Sequence, residues 1–522
     1  MKPSYGDDSP IAAFATAPGK SALTLIRCSG KGAIELAASV FSKPNELKLA
    51  AGSTLVHGWV VKKPHPCGFL TAASRGEPSP LCGSVEYTML PKAKESRQDN
   101  CEKIDEVLVS VFRAPKSYTG EDSIDISCHG GICTGTAVME ALKACGFRTA
   151  LPGEFTFRAF MNGKLDLTRS ESVMELVSAK TDVGRSNAIQ RLSGLLEEEI
   201  NSIKKLLVEV LAGAELYLDY SEDEISAEPG EKDGILPGQN QARRALIQLQ
   251  KLKAAWNSQR IYQEGITTVI AGKPNAGKSS LFNYLLKEDR SIVTEIPGTT
   301  RDWIEAWVSI EGIPVRLIDT AGLRESTDSV EALGVQRTRE LLDNAEIILY
   351  LIDGTCGISG EDKAFLCKYS GSEQGVLPLW NKADLAPRPQ HETKMIALSV
   401  LTGEGIAELS RAIVTAIQAQ AGKPEDQSNA GQNAISGNAA NENTGYGNAA
   451  WEAVPGSTRQ KNLIDTACTA LQEALSLAEQ REPLDLIAPL LREAVNALGE
   501  ITGEVSNTDI LEEMFSKFCV GK

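Results

Sequence analysis

No apolar run in the 522-residue sequence approaches the ~20 residues that a membrane span needs, and no basic stretch followed by a hydrophobic core opens it. The expectation is a soluble, cytoplasmic protein with no membrane partner. Eleven cysteines run from Cys28 to Cys519 without a CxxC pair, which speaks against a disulfide frame or a zinc site and for reduced, mostly buried thiols. Positive charge is in short supply: 53 Lys and Arg face 69 Asp and Glu, for a net charge of −16. A protein that coats nucleic acid is thereby excluded, because nonspecific binding needs many cations to neutralise phosphates. Any RNA contact is local. What is present is length and apolar content: 522 residues predict two to four domains, and 42% hydrophobic residues is enough for ordinary cores.

The chain is organised around Ile266 to Ser280, read as a buried strand, a glycine loop and a helix carrying Leu281, Phe282, Leu285 and Leu286. Gly272 and Gly277 let the backbone turn so that N–H groups, including those of Asn275 and Ala276, converge on a phosphate. Lys278 adds a point charge, and Ser279, followed by Ser280, offers a hydroxyl to Mg²⁺. Downstream, Asp319-Thr320-Ala321-Gly322 follows an apolar strand, and its aspartate can hold Mg²⁺ through water while the glycine N–H meets a γ-phosphate. Asn381-Lys382-Ala383-Asp384 follows another strand. Asp384 can accept both N1–H and the exocyclic amine of guanine, with Asn381 and Lys382 bracing the loop, so the nucleotide is GTP. The segment Thr294-Glu295-Ile296-Pro297-Gly298-Thr299-Thr300 reads as a switch, with Thr299 or Thr300 closing on Mg²⁺. Missing is the glutamine that often orients water: Leu323 follows DTAG, so hydrolysis needs another group. Glu325, Asp328 and Glu331 are available, and spacing alone does not choose among them.

The pattern predicts a multidomain α+β and α/β protein. Residues 1–164 read as an α+β domain of short strands and helices, with 65–100 a surface insert rich in Pro, Gly and Ser. Residues 165–263 read as helical, through Leu192, Leu196, Ile200, Ile203, Leu207 and Val210 and again over Gln241 to Ala255. Residues 264–419 alternate strands and helices as a mostly parallel sheet of the P-loop type. Residues 420–456, crowded with Asn, Gly, Ala and Ser, read as a disordered linker. Residues 457–522 return to helix, with apolar positions at Leu463, Ala467, Leu471 and Leu475, then Leu486, Leu490, Leu491, Val495 and Leu498. That face needs cover, and the earlier helices supply it, making one helical domain interrupted by another.

Through ATAPGKSALTLIRCSG, SYTGEDSIDISCHGG, PGEFTFRAFMNGKLDLTRSES, the nucleotide motifs and the terminal DILEEMFSKFCVGK, nearly the whole chain apart from insert and linker resembles the MnmE (TrmE) family of tRNA-modification GTPases. The resemblance implies a K⁺ ion held by Asn275, Thr294, Ile296 and Thr299, neutralising transition-state charge as an arginine finger does. It implies Mg²⁺ on Ser279 and Thr300, and Glu331 as the catalytic glutamate that polarises water once the G domains dimerise. Ser399-Val400 takes the place of the loop that meets guanine O6 through its backbone, with valine for the usual alanine. In the N-terminal domain it implies a 5-formyl- or 5,10-methylene-tetrahydrofolate bound by Arg27, Asp125, Lys164 and Lys522, Asp125 standing where the family usually has glutamate.

As a prenylation box the tail Cys519-Val520-Gly521-Lys522 is poor, and a frayed end with a stray thiol is the plain alternative. The resemblance instead makes Cys519 a functional thiol near the folate. It further implies a potassium-dependent, dimerisation-activated GTP hydrolase, homodimeric through its N-terminal domains, that works with an FAD-containing partner (MnmG) in a heterotetramer. Its substrate would be the wobble uridine of certain tRNAs, which receives an aminomethyl or carboxymethylaminomethyl group. The alternative is a regulatory or ribosome-assembly GTPase switch, which leaves the folate motifs and terminal cysteine without a role.

Overall fold

The computed structural model describes residues 5–17, 19–62, 102–219, 236–288, 304–320, 339–369, 374–389, 394–421, 453–505 and 508–521. The expected insert 65–100 and most of the expected linker lie outside them, as do Thr294 to Thr300, Ala321, Gly322, Glu331 and Lys522. Two compact units form, one of residues 1–165 with 507–522, the other of residues 166–506. Among the described residues, no helix is long and apolar enough to cross a membrane.

The first unit is built on a six-stranded sheet of β1 (Ile11–Phe14), β2 (Leu23–Ser29), β3 (Thr54–Lys62), β4 (Glu102–Phe112), β5 (Ser123–His129) and β6 (Arg148–Thr149), in spatial order β3-β4-β5-β2-β1-β6. All pairs are antiparallel except β1 with β6. Alternation sorts the strands' side chains. Ile26, Cys28, Val107, Val109, Ile124 and Ile126 pack with Ile34, Val138 and Leu142 of the helices Ala33–Ala38 and Ile132–Ala144. Opposite them, Leu55, His57, Leu108, His129 and Leu23 face outward in solvent. At the β1 end of that outer face, Ile11 and Ala13 are covered by Phe155 of the helix Glu154–Met161.

The second unit joins a helical core to a second sheet. Asp166 caps the helix Leu167–Ser178 by accepting from the Arg169 and Thr168 N–H groups, at 3.0 and 3.3 Å, and Thr181 caps Asp182–Leu192 through the Gly184 N–H at 3.1 Å. Leu192 therefore ends one helix and does not begin the next, as its spacing had implied. Gly194 follows with φ +100, where a Cβ would overlap the Arg169 guanidinium, and the long helix Leu195–Asp219 starts afresh. Its Leu196, Ile200, Ile203, Leu207 and Val210 pack with Gln239–Glu264, Thr458–Glu479 and Leu484–Thr502. Leu486, expected on the buried face, is instead exposed. The expected helical stretch 457–522 also divides. Its last helix, Thr508–Ser516, belongs to the first unit, because Phe515 finds its burial among Phe157, Phe160 and Phe518.

The second sheet comprises β7 (Ile266–Gly272), β8 (Ile304–Ile310), β9 (Ile313–Asp319), β10 (Ile347–Asp353), β11 (Gly375–Asn381) and β12 (Ile396–Ala397), ordered β12-β11-β10-β7-β9-β8. Only the edge strand β8 is antiparallel. The carboxyl ends of β7, β9, β10 and β11 bring Gly272, Asp319, Asp353 and Asn381 to one rim, where ligands of open α/β sheets bind.

Candidate functional site

At that rim, β7 runs into the loop Gly272–Gly277 and the helix Lys278–Glu288. The loop needs its glycines. Gly272 and Gly277 have φ of +141 and +98, and a Cβ would overlap the Leu351 carbonyl at the first and Asn381 Nδ2 at the second. Asn275 also takes a left-handed φ of 62, a conformation asparagine tolerates better than most residues. Lys278 is buried, its Nζ donating to the carbonyls of Gly272 and Lys273 at 3.0 and 2.8 Å, so it lies across the mouth of the loop. Ser279 Oγ donates to Asp319 Oδ2 at 2.7 Å. A hydroxyl and a carboxylate side by side form a hard-oxygen pair that fits Mg²⁺, which keeps several waters and takes few protein ligands. Thr320 Oγ1 donates to the Ile270 carbonyl, fixing the end of β9 against β7.

The base loop is braced to the phosphate loop. Asn381 Nδ2 donates to the Ala276 carbonyl at 2.8 Å, and its Oδ1 receives the Val400 N–H at 3.4 Å. Lys382, at φ 63, extends its Nζ to Asp353 Oδ2 at 2.6 Å. Burial works to raise the Asp353 pKa, but the bonds from Lys382 and Thr355 outweigh it and hold the carboxyl below its ordinary value. Ala383 N–H donates to the Leu398 carbonyl, and the buried Ser399 closes a turn with Glu404 and Gly403. Asp384 is left exposed at the end of this frame. Asp353 was not singled out from sequence, although its signal was the same as that of Asp319: an acid ending a buried apolar strand. Lys273 was also missed. Its Nζ reaches Ser359 Oγ at 2.6 Å and Glu361 at 3.0 Å, and the Glu361 bond is the main cause that raises its pKa.

A second polar group lies on the outer face of the first sheet. Arg27 on β2 stands opposite Asp125 on β5 and grips it with two bonds, Nε to Oδ1 at 3.0 Å and Nη2 to Oδ2 at 3.1 Å. Burial lowers the Arg27 pKa, but the Asp125 pair overrides it and the net shift is upward. The Tyr118 ring lies 5.9 Å from the guanidinium carbon, and burial is the main cause raising its phenol pKa. Lys164 Nζ donates to the Pro115 carbonyl at 3.1 Å, which places it on the loop that carries Tyr118. Arg27, Asp125 and Lys164 thus come from three separate motifs to one region. An arginine and a carboxylate on a half-buried face beside an aromatic ring fit a flat, hydrogen-bonding heterocycle such as a pterin. Cys519 is exposed, with its carbonyl accepting from the Gly153 N–H at 3.3 Å.

Comparison with known proteins covers both units. A family model described as "GTP-binding protein TrmE N-terminus" matches residues 10–164, and one described as "MnmE helical domain" matches residues 167–519. The chain is 41% identical over 529 residues to the tRNA modification GTPase MnmE of Treponema denticola, covering 100% of this chain and 99% of the relative. It is 37% identical over 531 residues to that of Carboxydothermus hydrogenoformans, covering 99% and 100%. Among solved structures, the G domain of the T. maritima FeoB iron transporter is 26% identical, covering 29% of this chain and 99% of that one, with a TM-score of 0.24.

Proposed function

The chain belongs to the MnmE family of tRNA modification GTPases, and from that premise we propose that its GTP hydrolysis serves the attachment of an aminomethyl or carboxymethylaminomethyl group to the wobble uridine of certain tRNAs. A tetrahydrofolate supplies the one-carbon unit. A separate FAD-containing protein, MnmG-like, completes a heterotetramer in the cytoplasm. The observation that carries this reading is that one chain holds two distinct built centres: a braced nucleotide cradle, and the Arg27–Asp125–Tyr118 group on a half-buried sheet face.

In the cradle, Asp384 accepts both guanine N–H groups while Asn381 and Lys382 hold its loop in register. Lys278 exchanges its two carbonyl partners for phosphate oxygens, a stronger, charge-assisted contact. Ser279, with Asp319 behind it and Thr300 of the switch, would hold Mg²⁺, which when bound neutralises phosphate charge. Asn275, with Thr294, Ile296 and Thr299, would hold K⁺, supplying the positive charge that an arginine finger supplies elsewhere. Glu331 orients and polarises the attacking water in place of the missing glutamine, after the G domains of two copies meet.

At the other centre, Arg27 and Asp125 satisfy each other, so a folate has to share or open their pair. Asp125 is one methylene shorter than the family's glutamate, and its fixed opposition to Arg27 across β2 and β5 gives it an alternative task. Lys164 and Lys522 contribute the remaining cations. Purified protein should carry a reduced folate detectable by mass spectrometry, and Arg27→Ala protein should not. Wobble uridines in a strain lacking this chain should lose the aminomethyl-type modification. Unaltered nucleosides in that strain would leave a GTPase without modification chemistry.

A further inference from the structure

The last residues of the chain are held on both sides of an exposed pair. On one side, Phe515 and Phe518 are buried, with ring centroids 5.1 Å apart, and Phe515 meets Phe157 edge-on at 5.4 Å. Phe157 continues to Tyr5 at 5.3 Å, whose hydroxyl donates to the Pro152 carbonyl at 2.8 Å. Gly153 sits against this group with φ +65, and a Cβ there would stand 2.7 Å from the Phe515 carbonyl oxygen and 2.8 Å from Phe518 Cβ. No side chain fits both the space and the dihedral. On the other side, Gly521 has φ +93, and a Cβ would overlap the Phe14 carbonyl at the end of β1. Phe14 pairs with Ile26 and its neighbour Ala13 with Arg27, so Gly521 meets β1 one register position from the Ala13–Arg27 pair. Between these pins, Cys519 and Val520 are exposed.

We propose that Gly153 is a socket for the carboxyl-terminal tail, and that Gly153, Phe515 and Phe518 are positioning residues that hold the Cys519 thiol as an arch beside the Arg27 strand. The inference rests on the reading in which Cys519 serves the modification chemistry. Gly153 then acts through the tail it admits, since its N–H holds the Cys519 carbonyl and its missing Cβ leaves room for Phe518. A thiol that must meet a bound one-carbon unit is sensitive to placement, and a displacement of about 1 Å costs on the order of a hundred-fold in rate.

The test uses the full-length protein with Gly153→Ala, Phe518→Ala and Phe518→Leu, beside Cys519→Ser. Modified wobble uridine is measured in cells, GTP hydrolysis on purified protein, and N-ethylmaleimide labelling at Cys519 by mass spectrometry of the terminal peptide. Gly153→Ala and Phe518→Ala should lower modification by about a hundred-fold, keep GTP hydrolysis, and bring Cys519 labelling to the rate of the free terminal peptide. Phe518→Leu should restore both readouts. Wild-type modification in Gly153→Ala and Phe518→Ala, or loss of modification with labelling unchanged, overturns the socket. Normal modification in Cys519→Ser overturns the thiol reading on which it rests, whatever the other variants show.

Discussion

Asp384 stands in solvent while its neighbours are tied down, Asn381 to the phosphate loop and Lys382 to Asp353. Its carboxylate is therefore free to read the base. We predict that Asp384→Asn weakens GTP binding by at least ~2 kcal/mol, since an amide nitrogen then faces a guanine donor, and turns preference toward xanthosine triphosphate. A titration with unchanged GTP affinity refutes the assignment. Potassium makes a second residue-scale test: Leu323 removes the usual glutamine, and the ion held through Asn275 is the proposed source of charge at the γ-phosphate. Turnover in sodium buffer should be at least ~10-fold slower, ~1.4 kcal/mol of barrier, and equal rates in the two salts count against the ion. Glu331→Ala should stop turnover and leave GTP binding intact; weak binding makes the residue structural. The cradle was legible in the sequence because glycine loops and strand-ending acids are local patterns. Asn381 and Lys382 were read as braces of the base loop, but their partners Ala276 and Asp353 were not legible, because each pair joins residues brought together only by strand order.

Helices were legible where one face repeats, as in the run from Leu196 to Val210, and misread where a single glycine restarts the chain, as at Gly194. Wholly illegible was the buried polar junction beneath them. Arg191 on Asp182–Leu192 bonds Glu175 on Leu167–Ser178 at 2.8 and 2.5 Å, while Glu171, one turn earlier, takes Arg459, Ser457 and Gln460 from the far end of the chain. Glu175 Oε1 is sealed from solvent and has no hydrogen bond among the described residues. Burial pushes the Glu175 carboxyl up to about 7, with Glu171 adding to the rise and Arg191 opposing it. The sign follows from the unfolded value of 4.5: the ionised form is the disfavoured one, so its penalty is absent below 4.5, grows through the window 4.5 to 7, and is complete above it. The held-down carboxyls of Asp353, Asp362 and Asp465 contribute stability that is lost only below about 4. Lys180, pushed down to about 8 by burial and then by Arg316, acts above the window. Thermal unfolding of the helical core should therefore move to higher temperature as pH falls from 7.5 to 5, and Glu175→Gln should flatten that slope whatever it does to overall stability. A slope that survives the substitution assigns the titration to another group.

At the scale of the molecule, the short strands of residues 1–164 foretold the first sheet but not that, among the described residues, Leu55 and Leu108 on its outer face are exposed. Nor could they foretell that the last helix leaves the helical core for this unit, since which apolar surface Phe515 finds is a tertiary choice. Leu55 and Leu108 are 68% and 46% exposed, and the row His57, Leu108, Ser127, Leu25 crosses four adjacent strands on that outer face. An isologous dimer that paired these faces would bury every such leucine twice, once from each copy. We predict that Leu108→Lys disrupts the homodimer that the family resemblance implies for this unit. Removing about 2 kcal/mol of apolar burial from each copy gives ~4 kcal/mol in all, or about a thousand-fold in dissociation constant. The two new ammonium groups add repulsion if the symmetry axis brings them close. GTP binding should be retained, because the cradle is a separate centre built on the other sheet. Sedimentation equilibrium reads the first effect and nucleotide titration the second. A Leu108→Lys protein that dimerises with the wild-type constant would place the dimer contact on another surface, and one that loses GTP binding would show a fold disrupted beyond the sheet face.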